Sequence, residues 1–286
     1  MLFDNGQPPI VRAPAMFRVH HITSLDLPAL APYRTLRQTA GHRRTGIFVA
    51  EGEKVIRRMF EAGVSVVSAL FTEDWLKKFE PHLAAAPGEI DVYVGSQTLL
   101  ETLTGFSLYQ GALAVGRIPA APTIEELLAQ SARPRLFVAL DGLANSENLG
   151  VVVRNAAAFG AQGLIVGETS GSPWLRRAVR NSMGAIFRLP VVETDDLARA
   201  LRTLRAQGVR RLAAHPHTDQ RRLSQVDFTG DCCLVFGSEG HGISQPILDA
   251  CDEAVAIPMA AAVDSLNVAS ASAAFLYEAM RQRGHG

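Results

Sequence analysis

From Arg135 onward, short apolar segments alternate with helical segments along the chain. The strand-like segment RLFVALDG (135–142) precedes the helix-like segment SENLGVVVRNAAAFG (146–160). The alternation continues through a predicted helix, SPWLRRAVRNSMG, and a predicted strand, FRLPVV, to a final helical segment, SLNVASASAAFLYEAMRQRG. Strands that are apolar throughout are buried on both faces, which is typical of a parallel sheet covered by helices. The sequence therefore predicts an α/β domain with a parallel sheet over residues 134–286.

The preceding residues predict a second, smaller α/β domain over residues 21–118. Its pattern includes a strand in GIFVAEG (46–52), an amphipathic helix in KVIRRMFEAG (54–63), and strands in SVVSALF, IDVYVG and GALAVGR. Prolines without periodicity predict a loose leader over residues 1–20. IPAAPT (118–123) is typical of a linker, so residues 119–133 are interpreted as a linker and the start of the next domain.

Charge and composition exclude several classes of protein. The chain has 28 basic and 28 acidic residues, unlike a protein that coats nucleic acid non-specifically. No apolar run approaches the ~20 residues that span a bilayer. The amino terminus lacks the pattern of a secretion signal, so we expect a cytoplasmic protein without a membrane partner. Three cysteines are too few and too unevenly placed for a zinc site or a disulfide framework, and buried reduced thiols are expected.

The first of three unusual strand ends is ANSENLGVVVRNAAAFG (144–160). Ser146 is a suitable N-cap, and Asn148 and Arg154 lie on the helix that follows. Arg154 interrupts a run of valines and alanines near the end of a strand, where parallel sheets bind ligands. It is either a functional residue or part of the solvated face of an amphipathic helix.

The other two strand ends are LVFGSEGHGIS (234–244) and VAIPMAAAVDSLNVASASAAFLYEA (255–279). The glycines of the first allow a ligand to approach the backbone, and Glu239 can orient a cation or a hydroxyl group. A plain tight turn is the alternative. In the second, Ser265 precedes the last helix, where free amide groups lie, and it is either a site residue or only an N-cap. The three segments are expected to converge at one edge of the sheet.

These three segments resemble, in order and spacing, the three motifs of the SpoU/TrmH family of SPOUT methyltransferases, and the similarity covers roughly residues 134–283. The resemblance implies a parallel sheet with a deep trefoil knot, a homodimer with its site near the subunit interface, and S-adenosyl-L-methionine as cofactor. It implies cofactor contacts at Gly237, Ile257, Met259, Ser265 and Leu266. It also implies Arg154 as the catalytic arginine, supported by four residues: Asn148, Glu239, Ser265 and Asn267.

The amino-terminal segment ITSLDLPALAPYRTLRQTAGHRRTGIFVAEGEKVI resembles the L30e-like substrate-binding domain that precedes many members of this family. There, the basic helix and the strand contact RNA, which implies RNA contacts at Arg34, Arg37, Arg43 and Arg44. A solvated basic helix is the alternative. The sequence departs from the family pattern at Ala261, where a glycine is usual. A methyl group at this position could crowd the cofactor loop and weaken cofactor binding.

The resemblance implies an enzyme that methylates a ribose 2′-hydroxyl in RNA, with ribosomal RNA favoured over transfer RNA and no metal required. A transfer RNA substrate, or a catalytically silent RNA-binding homologue, is the alternative. A nucleotide-dependent oxidoreductase is disfavoured because no glycine fingerprint follows the first strand of the domain. A hydrolase is disfavoured because no G-x-S-x-G occurs, and His215, His217 and His241 are interpreted as loop histidines.

Overall fold

The computed structural model describes residues 17–36, 39–104, 112–260 and 264–284. The described chain forms two β-sheets with helices packed against them, so the protein is of the α/β class. Within these residues, no helix combines the length and the apolar character needed to cross a membrane.

The first sheet is mixed and has the strand order β1-β4-β3-β5-β2. β1, β4 and β3 are parallel, whereas β5 is antiparallel to β3 and to β2. Its elements are β1 (Phe17–His21), α1 (Ala31–Arg34), α2 (Thr39–Arg44), β2 (Ile47–Glu51), α3 (Glu53–Glu61), β3 (Val66–Phe71), α4 (Glu73–Ala85), β4 (Ile90–Val94), α5 (Gln97–Thr104) and β5 (Ala112–Arg117).

The second sheet is entirely parallel and has the strand order β10-β12-β9-β11-β6-β7-β8. Strands β6, β7 and β11 are buried throughout, as continuously apolar segments require. The centre of β9 is buried as well, and its buried Arg211 is paired with Asp252. Its elements are α6 (Ile124–Gln130), β6 (Leu136–Leu140), α7 (Ser146–Ala158), β7 (Gly163–Val166), α8 (Arg176–Asn181), β8 (Val191–Glu193), α9 (Leu197–Ala206), β9 (Arg210–Ala214), β10 (Arg221–Arg222), β11 (Cys232–Phe236), α10 (Gln245–Asp249), β12 (Glu253–Ala256) and α11 (Val268–Gln282).

The last part of the chain returns across this sheet. β12 lies between β10 and β9, and the chain then crosses back so that α11 packs on α7 and β11. Asn155 of α7 fixes this contact, since its Nδ2 donates to Ala269 O at 2.8 Å and to Ser272 Oγ at 3.0 Å. The return brings the residues before α11 to the ends of β11 and β6.

The structure corrects three predicted boundaries. The leader predicted for residues 1–20 overlaps strand β1, because Phe17–His21 pair with β4. The predicted helix SPWLRRAVRNSMG is helical only over Arg176–Asn181, since Met183 and Gly184 adopt positive φ angles of 53° and 79° that end it. The predicted strand FRLPVV begins only at Val191, because residues 185–188 form a 3₁₀ helix and Pro190 has no N–H to donate.

Two apolar cores lie on the two faces of the parallel sheet, and the adjacent cysteines of β11 divide between them. Cys232 packs in the core that also includes Leu136 and Phe275, and Cys233 packs in the core with Leu201. Burial raises the pKa of the Cys232 thiol to about 11 and that of Cys233 well above its usual value. Both thiols are therefore held in the unreactive, protonated form expected of buried cysteines.

The two sheets are joined by apolar and charged contacts. Phe48 of β2 packs against Trp174, with ring centroids 5.3 Å apart, and against Phe187. The Glu51 carboxylate accepts hydrogen bonds from Arg176 and, at 2.9 Å, from Arg180 Nη1. Because Glu51 is largely buried, these contacts fix the first sheet against α8.

Candidate functional site

A cavity of about 300 Å³ opens at the carboxyl ends of β9, β11 and β12. This volume lies within the range of small-molecule binding sites. Three separate stretches of chain line the cavity: the loop after β9, the turn after β11, and the residues between β12 and α11. All five residues predicted to contact a cofactor are among its lining: Gly237, Ile257, Met259, Ser265 and Leu266. Two of the three segments predicted to converge, the turn after β11 and the residues between β12 and α11, therefore line one cavity, whereas the third lining stretch, the loop after β9, was not predicted.

The turn after β11 closes tightly on its own backbone. Ser238 N donates to Gly242 O at 2.9 Å, and Gly242 N donates to Ser238 O at 3.0 Å. A Cβ atom at Gly237 would lie 2.1 Å from the Gly242 carbonyl carbon, so no side chain fits at position 237. This turn holds Glu239 at its exposed tip, beside the cavity.

Asp141, at the end of β6, fastens this turn to a neighbouring loop. Its side chain is buried; Oδ2 accepts from Ser244 N at 2.7 Å, and Oδ1 accepts from Thr169 Oγ1 at 3.2 Å. A buried carboxylate with two hydrogen bonds is well satisfied, so it can hold both partners in place. Asp141 was not among the predicted site residues, although its position directly after a buried strand was a usable signal.

Three of the predicted catalytic residues form a hydrogen-bonded chain at one side of the cavity. Asn148 Nδ2 donates to the Glu239 carboxylate, and Asn267 Nδ2 donates to Asn148 Oδ1 at 3.2 Å. These residues come from α7, the turn after β11 and the residue before α11. All three remain in contact with solvent, so a ligand on the outside of the protein can reach them.

Both helices at the site begin on an asparagine, and the two serines that the sequence offered as caps are not N-caps. Asn145 caps α7, with its side chain accepting from Glu147 N and Asn148 N. Asn267 caps α11, with its side chain accepting from Ala269 N. Ser146 is the first residue inside α7, and Ser265 precedes the cap of α11, where it lines the cavity. Asparagine caps as well as serine does, so composition alone could not distinguish the positions.

Arg154 lies outside the cavity. It is exposed on α7, and within the described part of the chain its guanidinium has neither a hydrogen bond nor an ion pair. Six positions separate it from Asn148, which places the two side chains about 120° apart around the helix. The structure thus brings Asn148, Glu239, Ser265 and Asn267 to one place but leaves Arg154 on an adjacent, solvent-facing surface.

The arginines predicted to contact RNA have different surroundings. Arg34 ends α1 and lies 3.7 Å from an Asp26 carboxylate oxygen. Arg43 pairs with Glu193 at the end of β8, so it contributes to the contact between the sheets. Arg44 is exposed at the end of α2, and Arg37 lies outside the described residues.

Three histidines interpreted as ordinary loop residues line the cavity. His215 and His217 lie in the loop after β9, and His241 lies in the turn after β11. Both positions follow strands at the carboxyl edge of the sheet, and this was the signal that could have identified them. In the described ranges, no cluster of three or more histidine, cysteine or acidic side chains could hold a metal ion. Ala261 lies outside these ranges.

Comparison with known proteins finds a consistent similarity. Residues 135–277 match the model of the SpoU rRNA Methylase family. An uncharacterized tRNA/rRNA methyltransferase of Synechocystis sp. is 32% identical over 92% of this chain and 94% of its own length. A second one, from Mycobacterium leprae, is 34% identical over 81% of this chain and 76% of its own length.

Solved structures resemble both sheets of this chain. The AdoMet-bound rRNA methyltransferase from Sinorhizobium meliloti is 26% identical with a TM-score of 0.78, covering 92% of this chain and 98% of the other. An RNA 2′-O ribose methyltransferase is 27% identical with a TM-score of 0.75, covering 92% and 99%. The SpoU methyltransferase AviRb from Streptomyces viridochromogenes, in complex with AdoMet, is 27% identical with a TM-score of 0.74, covering 90% and 100%.

Proposed function

This chain belongs to the SpoU rRNA methylase family of S-adenosylmethionine-dependent RNA 2′-O-ribose methyltransferases, and we propose that ribosomal RNA is its substrate. The similarity to the rRNA methyltransferase from Sinorhizobium meliloti supports this choice, because it extends over both sheets. Transfer RNA is the competing substrate, since the curated relatives are named for both RNAs.

We propose that the cavity at β9, β11 and β12 holds S-adenosyl-L-methionine. The lining suits this molecule: Ile257, Leu266 and Phe275 offer apolar surface to an adenosine, and the turn at Gly237 admits close approach to the backbone. Ile257, Met259, Ser265 and Leu266 would hold the cofactor together with Gly237. When bound, the cofactor supplies a methyl group already activated on a sulfonium sulfur.

The protein's contribution is then to position the ribose and to stabilise charge on its 2′-oxygen. An arginine stays protonated in proteins, so Arg154 does not remove the hydroxyl proton. We propose that Arg154 binds the adjacent phosphate and the developing oxyanion through charge-assisted hydrogen bonds. Four residues would orient the groups around Arg154: Asn148, Glu239, Ser265 and Asn267. The hydrogen bonds that join Asn148 to Glu239 and to Asn267 support that role.

We propose that residues 21–118 form the RNA-binding domain and residues 134–286 the methyltransferase domain, joined through residues 119–133. Arg34, Arg37, Arg43 and Arg44 would contact RNA, with the exposed Arg44 best available to bind phosphate. Because the chain carries no net charge, we expect it to bind a local RNA element of defined shape and not to track along an extended duplex. Single-stranded loops fit best, because a splayed nucleotide exposes its 2′-hydroxyl.

We also propose a homodimer with the active site near the subunit interface. Arg154 is exposed and outside the cavity of its own chain. On α11, which packs against α7, Tyr277 is 52% exposed and lies edge-on to Phe159. A second copy covering α7 and α11 would bury this aromatic surface and bring Arg154 to an interface.

Mapping 2′-O-methylated nucleotides in cells with and without this protein tests the proposal. We expect a ribosomal RNA position to lose its methyl group when the protein is absent, and to regain it on complementation with the wild-type chain. Purified protein should transfer radiolabelled methyl groups to ribosomal RNA from the deletion strain and not to RNA already methylated. If the lost methyl group is confined to transfer RNA, the substrate is transfer RNA and not ribosomal RNA.

A further inference from the structure

The loop after β9 separates the candidate cofactor cavity from a second cavity. His215 and His217 line both, and the second cavity, of about 280 Å³, lies on the side of α10 and β12. Acidic groups line that second cavity: Asp249, Asp252 and Glu253. The two histidines therefore stand between the cofactor cavity and this acidic cavity, of whose carboxylates Asp252 is paired with Arg211 and Glu253 with Arg210 and Arg221.

In the sheet, these histidines lie on the opposite side of β11 from the residues proposed to bind the reacting ribose. β11 lies between β9 and β6 in the sheet. The histidine loop follows β9, whereas the Asn148–Glu239 pair is reached from the β6 side through α7. A cofactor that presents its methyl group toward α7 can thus extend another part toward the histidine loop.

The backbone fixes the orientation of one histidine ring. His215 Nδ1 accepts a hydrogen bond from His217 N at 3.2 Å, and the two ring centroids lie 6.2 Å apart at 77°. Accepting at Nδ1 leaves the proton of a neutral His215 on Nε2, where it can be donated to a ligand. His217 is exposed and lines the same cavity.

The charges of the cavity lining point to the part of the ligand that binds there. S-adenosylmethionine carries one anionic group, the α-carboxylate of its methionine end. Among the described lining residues there is no lysine or arginine, and the ionisable side chains are Glu239 and three histidines. His241 shares the turn with Glu239, whose carboxylate would repel an anion, so the ionisable donors that remain are His215 and His217.

We propose that His215 and His217 bind the α-carboxylate of S-adenosylmethionine and select cofactors that carry it. This inference rests on the proposed cofactor cavity. Hydrogen bonds to a charged group are stronger than those between neutral groups. Removing both imidazoles should therefore lower affinity for the carboxylate-bearing cofactor by about tenfold or more.

Isothermal titration with S-adenosylmethionine and with decarboxylated S-adenosylmethionine tests this inference on the full-length protein. We expect the wild-type chain to prefer the carboxylate form. The double variant His215→Ala/His217→Ala should weaken its binding about tenfold, leaving affinity for the decarboxylated form within about twofold. His217→Lys, which keeps a hydrogen-bond donor at this position, should keep most of the preference. His21→Ala, which removes an exposed histidine of β1, is the matched control and should change neither affinity.

An equal loss of affinity for both ligands would overturn the inference, because the loop would then only shape the cavity. Unchanged binding of the carboxylate form by the double variant would overturn it as well, since another group must hold the carboxylate. Failure of the wild-type chain to bind either ligand is a different result, and it would refute the proposed cofactor cavity itself.

Discussion

The guanidinium of Arg154 has the properties expected of a group that acts on a substrate rather than on the fold. It is exposed, and within the described residues no carboxylate pairs with it, whereas Arg177 nearby lies 3.7 Å from a Glu147 carboxylate oxygen. The adjacent Asn155 anchors α7 to α11, so the helix that carries Arg154 is held in place without it. Removing the guanidinium should therefore spare the fold.

We expect Arg154→Ala to lower methyl transfer by at least about a hundredfold, the effect of deleting one electrostatic stabiliser of a transition state. Cofactor affinity should stay within about twofold, because Arg154 does not line the cavity. Single-turnover transfer and isothermal titration measure the two effects. Arg177→Ala, a similarly exposed arginine, serves as the control and should retain most activity. Loss of cofactor binding in Arg154→Ala would instead assign Arg154 a structural role.

Single residues of the site were predictable where a strand end carried an unusual residue type. Gly237 and Glu239 follow β11, and the structure gives a packing reason for the glycine, since the turn backbone occupies the place of a side chain. The histidines of the loop after β9 were not predicted as site residues, because an isolated loop histidine has no periodicity or spacing to mark it. Their significance depends on the neighbouring strand β11, which lies nearly twenty positions later in the sequence.

At the scale of elements, uninterrupted apolar segments identified the strands of the parallel sheet, because burial on both faces leaves a strong signal. Predictions failed where a local backbone conformation ended an element. The predicted helix ended early where Gly184 adopts the left-handed conformation. The 3₁₀ helix that follows Gly184 replaced the start of the predicted strand. Helix caps were also misassigned, since serine and asparagine stood two or fewer positions apart at both helix starts.

The corrected cap of α11 leads to a stability prediction. Asn267→Ala should lower the free energy of unfolding by about 1 kcal/mol, the usual effect of losing an N-cap. It also removes the donor to Asn148 Oδ1. Ser265→Ala should change stability by less than about 0.5 kcal/mol, because Ser265 does not cap the helix. Urea unfolding of both variants measures the difference. A larger loss for Ser265→Ala than for Asn267→Ala would contradict the assignment.

For the whole molecule, the sequence predicted two α/β units but not how they contact one another. The contacts join residues far apart in the chain, such as Glu51 with Arg176 and Arg58 Nη1 with Met183 O at 2.6 Å. No sequence pattern marks pairs of this kind, because each partner alone is typical of a solvated surface. The contacts hold the first sheet against α8, so the two sheets keep a fixed relative position, as the proposed division into an RNA-binding and a cofactor-binding part requires.

Arg154 lies outside the cavity of its own chain, so two arrangements are to be distinguished: Arg154 acts at that cavity, or it acts at the cavity of a partner subunit. In a closed twofold dimer, each copy presents the same surface to the other. An arginine on α7 of one copy can then complete the cavity of its partner. This arrangement would also explain why Asn148 and Arg154, on the same helix, point to different sides.

Heterodimers of two inactive variants distinguish the two arrangements. Arg154→Ala lacks the guanidinium, and Leu266→Asp places a carboxylate in the cavity lining at an exposed position that should tolerate it. If Arg154 serves the partner's cavity, a purified heterodimer contains one intact site of two and should show about half of the wild-type activity. If Arg154 serves its own chain, each site carries one defect and the heterodimer should be as inactive as either homodimer. Purification through two different tags, followed by methyl-transfer assays on the same RNA, decides between these outcomes, and recovery of only monomers would refute the dimer.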